Sequence, residues 1–476
     1  MRRYLVLSCA LLLLGLMAGG CAPAATPTPE KIVETVEVPV IETVEVTVEV
    51  PVEVKKTVVE FWTTDNEEYR VDIQEAVAEA FMAEHPDIEI RVVPIDEATI
   101  AQRVATAQGA NRLPDVIRMG VERVAPFLAS GILDADAATQ VITELGEDTF
   151  FEGPLNWVTD PTTGKYGAVP FDGWLQAIWY RADAFEALGL EPPESWDQIK
   201  AACEAIAGYD DFLYGITLGT DPTQNYPQQV FEQFAMSNGA FPFDEEGNVT
   251  MNTPEMIEAL EFYTSLQECA APGANYWKQA REYYITGQSG MLFYSTYVMD
   301  DLAGLQEGVE PTVAELSAKT GFASTMIGAS GDKATYGQLV TMGITTGADT
   351  DAAVEWVKYI LEGDAYQKIL AIAPHGKLPQ RTTAVEEWSK ADIFATYPPE
   401  VLETIVSGFE TAQRWAFVPG YDAVQRAVIG DMEGRFLGPT AISNIIEGTM
   451  TPESAAAWLQ EQVEALYAER KAEAGE

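Results

Sequence analysis

The chain carries 74 Asp and Glu side chains but only two histidines, His85 and His375, and this limits the chemistry its residue types could perform. Both histidines adjoin proline, and no H-E-x-x-H motif, paired C-x-x-C or EF-hand spacing occurs, so neither a metal nor any other cofactor is expected. The stretch GASGDKAT lacks the spacing of a phosphate-binding loop and the hydroxyl after its lysine. The acids of FDEEGNVTM, residues 243–251, surround Gly247 between strand-like runs, which suits a hairpin turn. Two carboxylates could hydrolyse a glycosidic bond, yet no spacing singles out a pair. The reading is therefore a protein that is not an enzyme, with an exported glycoside hydrolase as the alternative.

Binding chemistry is better represented. Trp62, Trp174, Trp277, Tyr294, Tyr297, Tyr336, Trp415 and Tyr421 fall in or beside loops and element ends, many with polar neighbours. Flat rings offer apolar faces to the C–H side of a pyranose, while carboxylates and amides bind its hydroxyls, so the mixture suits a carbohydrate. A polyamine would also suit acids among rings, through charge and cation–π attraction. A structural surface protein without a ligand is a third reading.

These side chains need elements to hold them. TVVEFWTT is a short β-branched run, YRVDIQEAVAEAFMAEHP has apolar residues at helical spacing and stops at Pro86, and IEIRVVPI reads as a second strand. ATIAQRVATAQGANRLP gives a second helix and DVIRMG a third strand. The alternation implies βαβ crossovers and a largely parallel sheet covered by helices, with ligands beside the carboxyl ends of the strands. Later helices carry their own signals: Ser195 as N-cap of one, Thr253 as N-cap of another with Pro254 at its first position, and similar starts before DTDAAVEWVKYILEG and TPESAAAWLQEQVEALYAERKAE. A chain of 476 residues exceeds one comfortable core and should form two lobes.

Met1-Arg2-Arg3 followed by the apolar run from Leu5 to Met17 is too short to span a bilayer and reads as an export signal. Ala18-Gly19-Gly20 before Cys21 resembles the lipobox of bacterial lipoproteins, although Ala18 departs from the aliphatic residue usual there. Residues 1–20 are then a signal peptide and Cys21 is acylated, which places the protein outside the cytoplasm and holds it to the membrane by a lipid anchor only. Residues 21–57 form an acidic stalk. Its Val/Glu alternation has the period of a strand, but Pro39, Pro51 and mutually repelling glutamates favour an extended spacer. A formal charge of −46 excludes nucleic acid and anionic lipid headgroups as partners. Cys9 leaves with the signal, and Cys203 and Cys269 could form a disulfide, which spacing alone does not decide.

Taken in order, VEFWTTDNEEYRVDIQEAVAEAFMAEHPDIEIRVV, RLPDVIRMG, YGAVPFDGWLQAIWYRADAFEALGLEPPESWDQI, YYITGQSGMLFYSTY and IIEGTMTPESAAAWLQEQVEAL resemble segments of the extracellular solute-binding proteins of ABC sugar importers. These have the type II periplasmic-binding fold, which includes maltose-binding protein. The resemblance implies an α/β, two-lobed fold with hinge crossings. Lobe 1 would hold residues 58–171 and 340–380, and lobe 2 residues 172–339 and 381–470. It implies a monomer that closes on its ligand and is recognised by an ABC permease. The ligand positions it carries over are Trp62, Thr64, Asp65, Glu122, Arg123, Asp172 and Trp174, then Asn225, Tyr226, Tyr297 and Tyr421, with Trp277, Gln338 and Arg381 as further candidates.

Overall fold

The computed structural model describes residues 56–306, 308–373 and 376–475. The export signal, Cys21, the stalk up to Lys55 and His375 lie outside them. Strand β1 (Thr57–Thr63) leads through helix Glu68–Glu84 to β2 (Ile88–Pro94), and helix Ile100–Gly109 leads to β3 (Val116–Gly120). Val59 and Phe61 of β1 are wholly buried, as the two-residue period of a strand dictates when one face meets a core. β1 pairs parallel with both β2 and β3, so this end of the sheet is built from βαβ units.

The expectation of a largely parallel sheet does not hold beyond that end. Next come β4 (Val169–Arg181), β5 (Tyr214–Thr217), β6 (Ser289–Ser295), β7 (Thr320–Ala323), β8 (Thr325–Ile327) and β9 (Lys333–Ile344). The principal order is β2-β1-β3-β9-β4-β6-β5. β9 inserts between β3 and β4 and runs antiparallel to both, and β6 and β7 are antiparallel to β4. Along that order, β5 and β6 return to parallel pairing. Orientation follows from where the chain re-enters the sheet, and the alternation of side chains along β9 is the same in either direction.

β4 and β9 are the two long strands, and each passes from one hydrophobic core to another. Val169 and Phe171 of β4 pack in a core with β1, helix Glu68–Glu84 and Trp356, whereas Leu175, Ala177, Ile178 and Trp179 pack in a second core with Trp196, Phe231, Tyr263 and Trp415. Along β9, Met342 and Ile344 belong to the first core and Ala334 and Tyr336 to the second. Continuous backbone shared by two cores is what a two-lobed molecule with crossings requires.

The helix starts follow local chemistry. Ser195 and Gln198 form a capping box at helix Trp196–Ile206, Thr253 accepts from Met256 N ahead of Pro254, and Thr451 and Ser454 form a second box at Pro452–Ala474. Phe243 and Val249 pair across the turn that contains Gly247. Cys203 and Cys269 are joined in a disulfide, with Cα atoms 5.7 Å apart. Gly215 lies against this link, where a Cβ would fall 2.0 Å from the carbonyl oxygen of Cys203, so no side chain fits there. No helix among the described residues is long and apolar enough to cross a membrane.

Candidate functional site

A cleft opens where β1, β3 and β6 end, the place at which an α/β sheet exposes backbone and loop side chains together. Thr64, Asp65, Asn66, Glu67, Arg70, Glu97, Arg118 and Gly120 line it from the side of the first core. Trp174, Gln176, Tyr226, Gln229, Trp277, Tyr294, Ser295 and Tyr297 line it from the side of the second, and Gln338 and Val340 of β9 bridge them. The space between these side chains, counting the part open to solvent, is about 730 Å³.

Beneath the rings lies a buried ionic cluster. Arg118 Nη2 donates to Asp172 Oδ2 at 3.0 Å and lies 3.2 Å from Asp65, while its Nη1 donates to Thr64 at 3.1 Å. Lys377 Nζ donates to Asp65 at 2.8 Å, to Asp172 at 3.2 Å and to the Tyr297 hydroxyl at 3.3 Å. Arg70 donates to Asp65 at 2.9 Å and approaches Glu67 at 3.2 Å. The Tyr297 hydroxyl in turn donates to Asp172. Gly376 permits this arrangement: a Cβ there would meet the Tyr297 backbone at 2.5 Å, and its carbonyl accepts from Thr296 Oγ1 at 2.8 Å. Burial alone would raise the Asp65 carboxyl, but Arg118, Lys377 and Arg70 outweigh it and hold it well below the carboxylate range. Burial and the adjacent Asp172 push the Tyr297 phenol well above its ordinary range, so it stays protonated.

Three cations, Arg70, Arg118 and Lys377, thus face three carboxylates, Asp65, Asp172 and Glu67. Glu67 also meets Lys278 at 3.5 Å across the cleft. Among the described residues, Glu97 is the one lining carboxylate outside these ion pairs, and it is exposed. The rings stand above: Trp277 stacks on Tyr294 with centroids 5.9 Å apart, and Trp174 meets Tyr297 edge-on at 6.2 Å.

A second charged cluster lies behind Gln338. Its Nε2 donates to Glu122 at 2.9 Å, and its Oε1 accepts from Arg414. Arg414 also donates to Glu232 at 3.2 Å and to Glu433 at 2.7 Å. Arg123 lies 3.6 Å from Glu122, and the Asn225 amide bridges from Arg123 Nη2, at 2.9 Å, to the Glu433 carbonyl, at 2.8 Å.

Of the positions expected to bind ligand, Thr64, Asp65, Trp174, Tyr226, Trp277, Tyr297 and Gln338 line the cleft. Asp172 lies beneath it, and Glu122, Arg123 and Asn225 sit in the cluster behind Gln338. Trp62 donates to Glu60 at 2.6 Å and packs against a third apolar cluster that includes Ile100, Val104 and Met119. Arg381 does not reach the cleft: its guanidinium donates to the carbonyls of Leu361 and Leu145, each at 3.0 Å. Tyr421 is likewise remote, because its hydroxyl donates to the Phe243 carbonyl at 2.6 Å. Both side chains satisfy backbone carbonyls, a structural use that sequence spacing does not reveal. Arg70, Arg118, Lys377, Gln176 and Gln229 were not expected. For Arg118 a signal exists: an arginine inside the buried run DVIRMG demands a buried partner.

Two lobes sharing continuous strands, with a polar, ring-lined cleft between them, define a binding receptor of the hinged α/β type. The family model of bacterial extracellular solute-binding proteins matches residues 65–367, and the chain belongs to that family. YcjN of Escherichia coli strain K12, named as a candidate periplasmic-binding protein of an ABC transporter, is 29% identical over 340 residues, 70% of this chain and 76% of that one. The mannitol-binding protein of Pseudomonas aeruginosa PAO1 is 28% identical over 207 residues, 42% of this chain and 46% of its own length. The solved structure of maltose-bound MalE3 of T. maritima shares the fold with a TM-score of 0.72 at 20% identity, covering 86% of this chain and 100% of that one.

Proposed function

We infer that the protein captures a neutral polyhydroxylated solute, a sugar or polyol, in this cleft and delivers it to an ABC permease. The observation that carries this is the charge balance of the cleft combined with its rings. A polyamine needs several free carboxylates, and here Asp65 and Glu67 are already paired with Arg70, Arg118, Lys377 and Lys278, leaving only Glu97 among the described lining residues. An anion would have to displace the same carboxylates from Arg70 and Arg118. A neutral ligand uses what remains: faces of Trp174, Trp277, Tyr294 and Tyr297 for its C–H surface and amides and hydroxyls for its oxygens. The relatives named for mannitol and maltose bind ligands of this kind.

Binding then shifts a hinged equilibrium towards closure, because side chains from both lobes touch the ligand together only when closed. Lobe 1 is taken as residues 58–171 and 340–380 and lobe 2 as 172–339 and 381–470; the two cores support this division except that Ala384 packs in the first core and Val340 and Leu378 in the second. The protein acts as a monomer without turnover. It is tethered outside the cytoplasm through acylated Cys21 and the stalk of residues 21–57, which raises its concentration near the permease. Titration calorimetry with D-mannitol, maltose and laminaribiose, against spermidine and glycerol 3-phosphate, tests the ligand class: heat only from the amine or the phosphate overturns it. Incorporation of labelled fatty acid, expected in the wild type and absent from Cys21→Ser, tests the anchor.

A further inference from the structure

One polar side chain on the cleft wall carries a buried donor that the described residues leave without a partner. Gln176 stands two residues beyond Trp174 on β4, so the pleat sets both side chains on one face of the strand, and both line the cleft. Its strand is paired on each side, Gln176 lying opposite Tyr336 of β9 and Ser295 of β6. The side chain is 1% exposed, and its Nε2 has no hydrogen-bond partner among the described residues. Several other polar lining groups are already engaged. Both amide atoms of Gln338 are engaged by Glu122 and Arg414, Thr64 accepts from Arg118, and the Tyr226 hydroxyl donates to the Phe293 carbonyl. A buried donor without a partner destabilises the free protein, and leucine or methionine would fill the same space without that penalty. Its presence is accounted for if the partner arrives with the ligand.

We propose that Gln176 is a specificity-determining residue: its Nε2 donates to one hydroxyl oxygen of the bound sugar or polyol, beside the ring of Trp174 that shares its strand face. This rests on the neutral-solute reading above. A site built around such a donor rejects a ligand lacking the matching oxygen, because binding then leaves the amide unpaired in a drier cleft. The residue therefore has opposite effects on affinity and on the stability of the empty protein.

The test uses the full folded chain and a panel of D-mannitol, ribitol, maltose and laminaribiose, with monodeoxy analogues of whichever probe binds the wild type. Gln176→Leu and Gln176→Met keep the size and remove the amide. Calorimetry should show affinity reduced about tenfold to a hundredfold in both variants, while the melting temperature of the unliganded protein is equal to or above that of the wild type. One deoxy analogue should bind the wild type at least about tenfold more weakly than its parent, yet bind Gln176→Leu as well as the parent does, the signature of a coupled pair. Parent affinity within threefold of wild type in the variants overturns the proposal. So does weaker binding accompanied by a lower melting temperature and no change in deoxy discrimination, which marks a packing role. Wild-type protein that binds no member of the panel overturns the neutral-solute reading as well, a result distinct from normal wild-type binding with indifferent variants.

Discussion

Two clusters of buried charge adjoin the cleft, and they are built on different balances. In the first, three cations, Arg70, Arg118 and Lys377, all reach Asp65 and together hold it far below its ordinary range despite burial. In the second, Glu122, Glu232 and Glu433 share Arg414 and Arg123. There burial wins over the attraction of Arg414: Glu232 is raised, and Glu433 is pushed up to about 8. Burial is comparable in the two places, so the count of neighbouring cations and carboxylates decides the sign. The balanced cluster keeps Asp65 charged and presents a fixed, neutralised floor to the ligand. The acid-rich one can take up a proton within the physiological range.

The largest break in this comparison should come from Arg414→Met. Among the described residues Arg414 is the one cation bonded to both Glu232 and Glu433, and its loss leaves buried carboxylates unpaired, which costs about 3–5 kcal/mol. Urea unfolding at pH 9, where Glu433 would be charged, should report that loss, and much of it should return at pH 5 as the carboxylates take up protons; a loss below about 1 kcal/mol at pH 9 would show the cluster to be dispensable. Lys377→Met in the first cluster should cost less, about 1–3 kcal/mol, because Asp65 and Asp172 keep Arg118 and Asp65 also keeps Arg70. Equal losses in the two variants would refute the argument from balance.

The same contrast explains what the sequence could and could not disclose. β1, β2, β3 and the helices capped by Ser195, Thr253 and Thr451 were legible because their signals are local: a two-residue period, a capping hydroxyl, a proline at the first turn. The direction of β9 was not, since its burial pattern reads alike in parallel and antiparallel pairing. In the cleft, Trp174 and Tyr297 stood out as aromatic residues with polar neighbours, while Asp65 was legible only through the family resemblance. Arg414, in TAQRWAF, and Lys377, in HGKLP, carry no local mark of burial; each is buried only because distant segments bring Glu232 and Asp65 to it. The disulfide is of the same kind, for two cysteines 66 residues apart meet only once helix Trp196–Ile206 has packed.

A smaller effect sharpens the comparison through pH. The folded-state values of Glu433 and Glu232 lie above their ordinary 4.5, so the native state binds more protons than the unfolded chain. The contribution of Glu433 is fully present below about 4.5 and lost as pH rises towards 8, and that of Glu232 has the same sign. Asp65 has the opposite sign: its contribution is present above 3.8 and lost on acidification below it. Glu433→Gln, which imitates the protonated form, should flatten the decline in stability between pH 5 and 8 by about 1 kcal/mol or more, close to what a tenfold change in proton affinity is worth. Melting temperatures across that range measure it, and parallel wild-type and variant curves would deny Glu433 its raised value.

The smallest effect belongs to the pair that links the cleft walls at the surface, Lys278 and Glu67. At 3.5 Å, with Lys278 40% exposed, it resembles the buried contacts in distance but not in surroundings. Water and dissolved ions screen it, so Lys278→Ala should change stability by only about 0.2–1 kcal/mol, and the change should vanish in about 0.5 M salt, where the Debye length falls to about 4 Å. The Arg414→Met deficit should persist in the same buffer, because ions do not penetrate around a wholly buried guanidinium. Unfolding both variants at low and high salt therefore separates burial from mere proximity. A Lys278→Ala effect that survives salt would mean that the walls close tightly enough on each other to exclude solvent from the pair, and the distinction between a sealed floor and a wet rim would have to be redrawn.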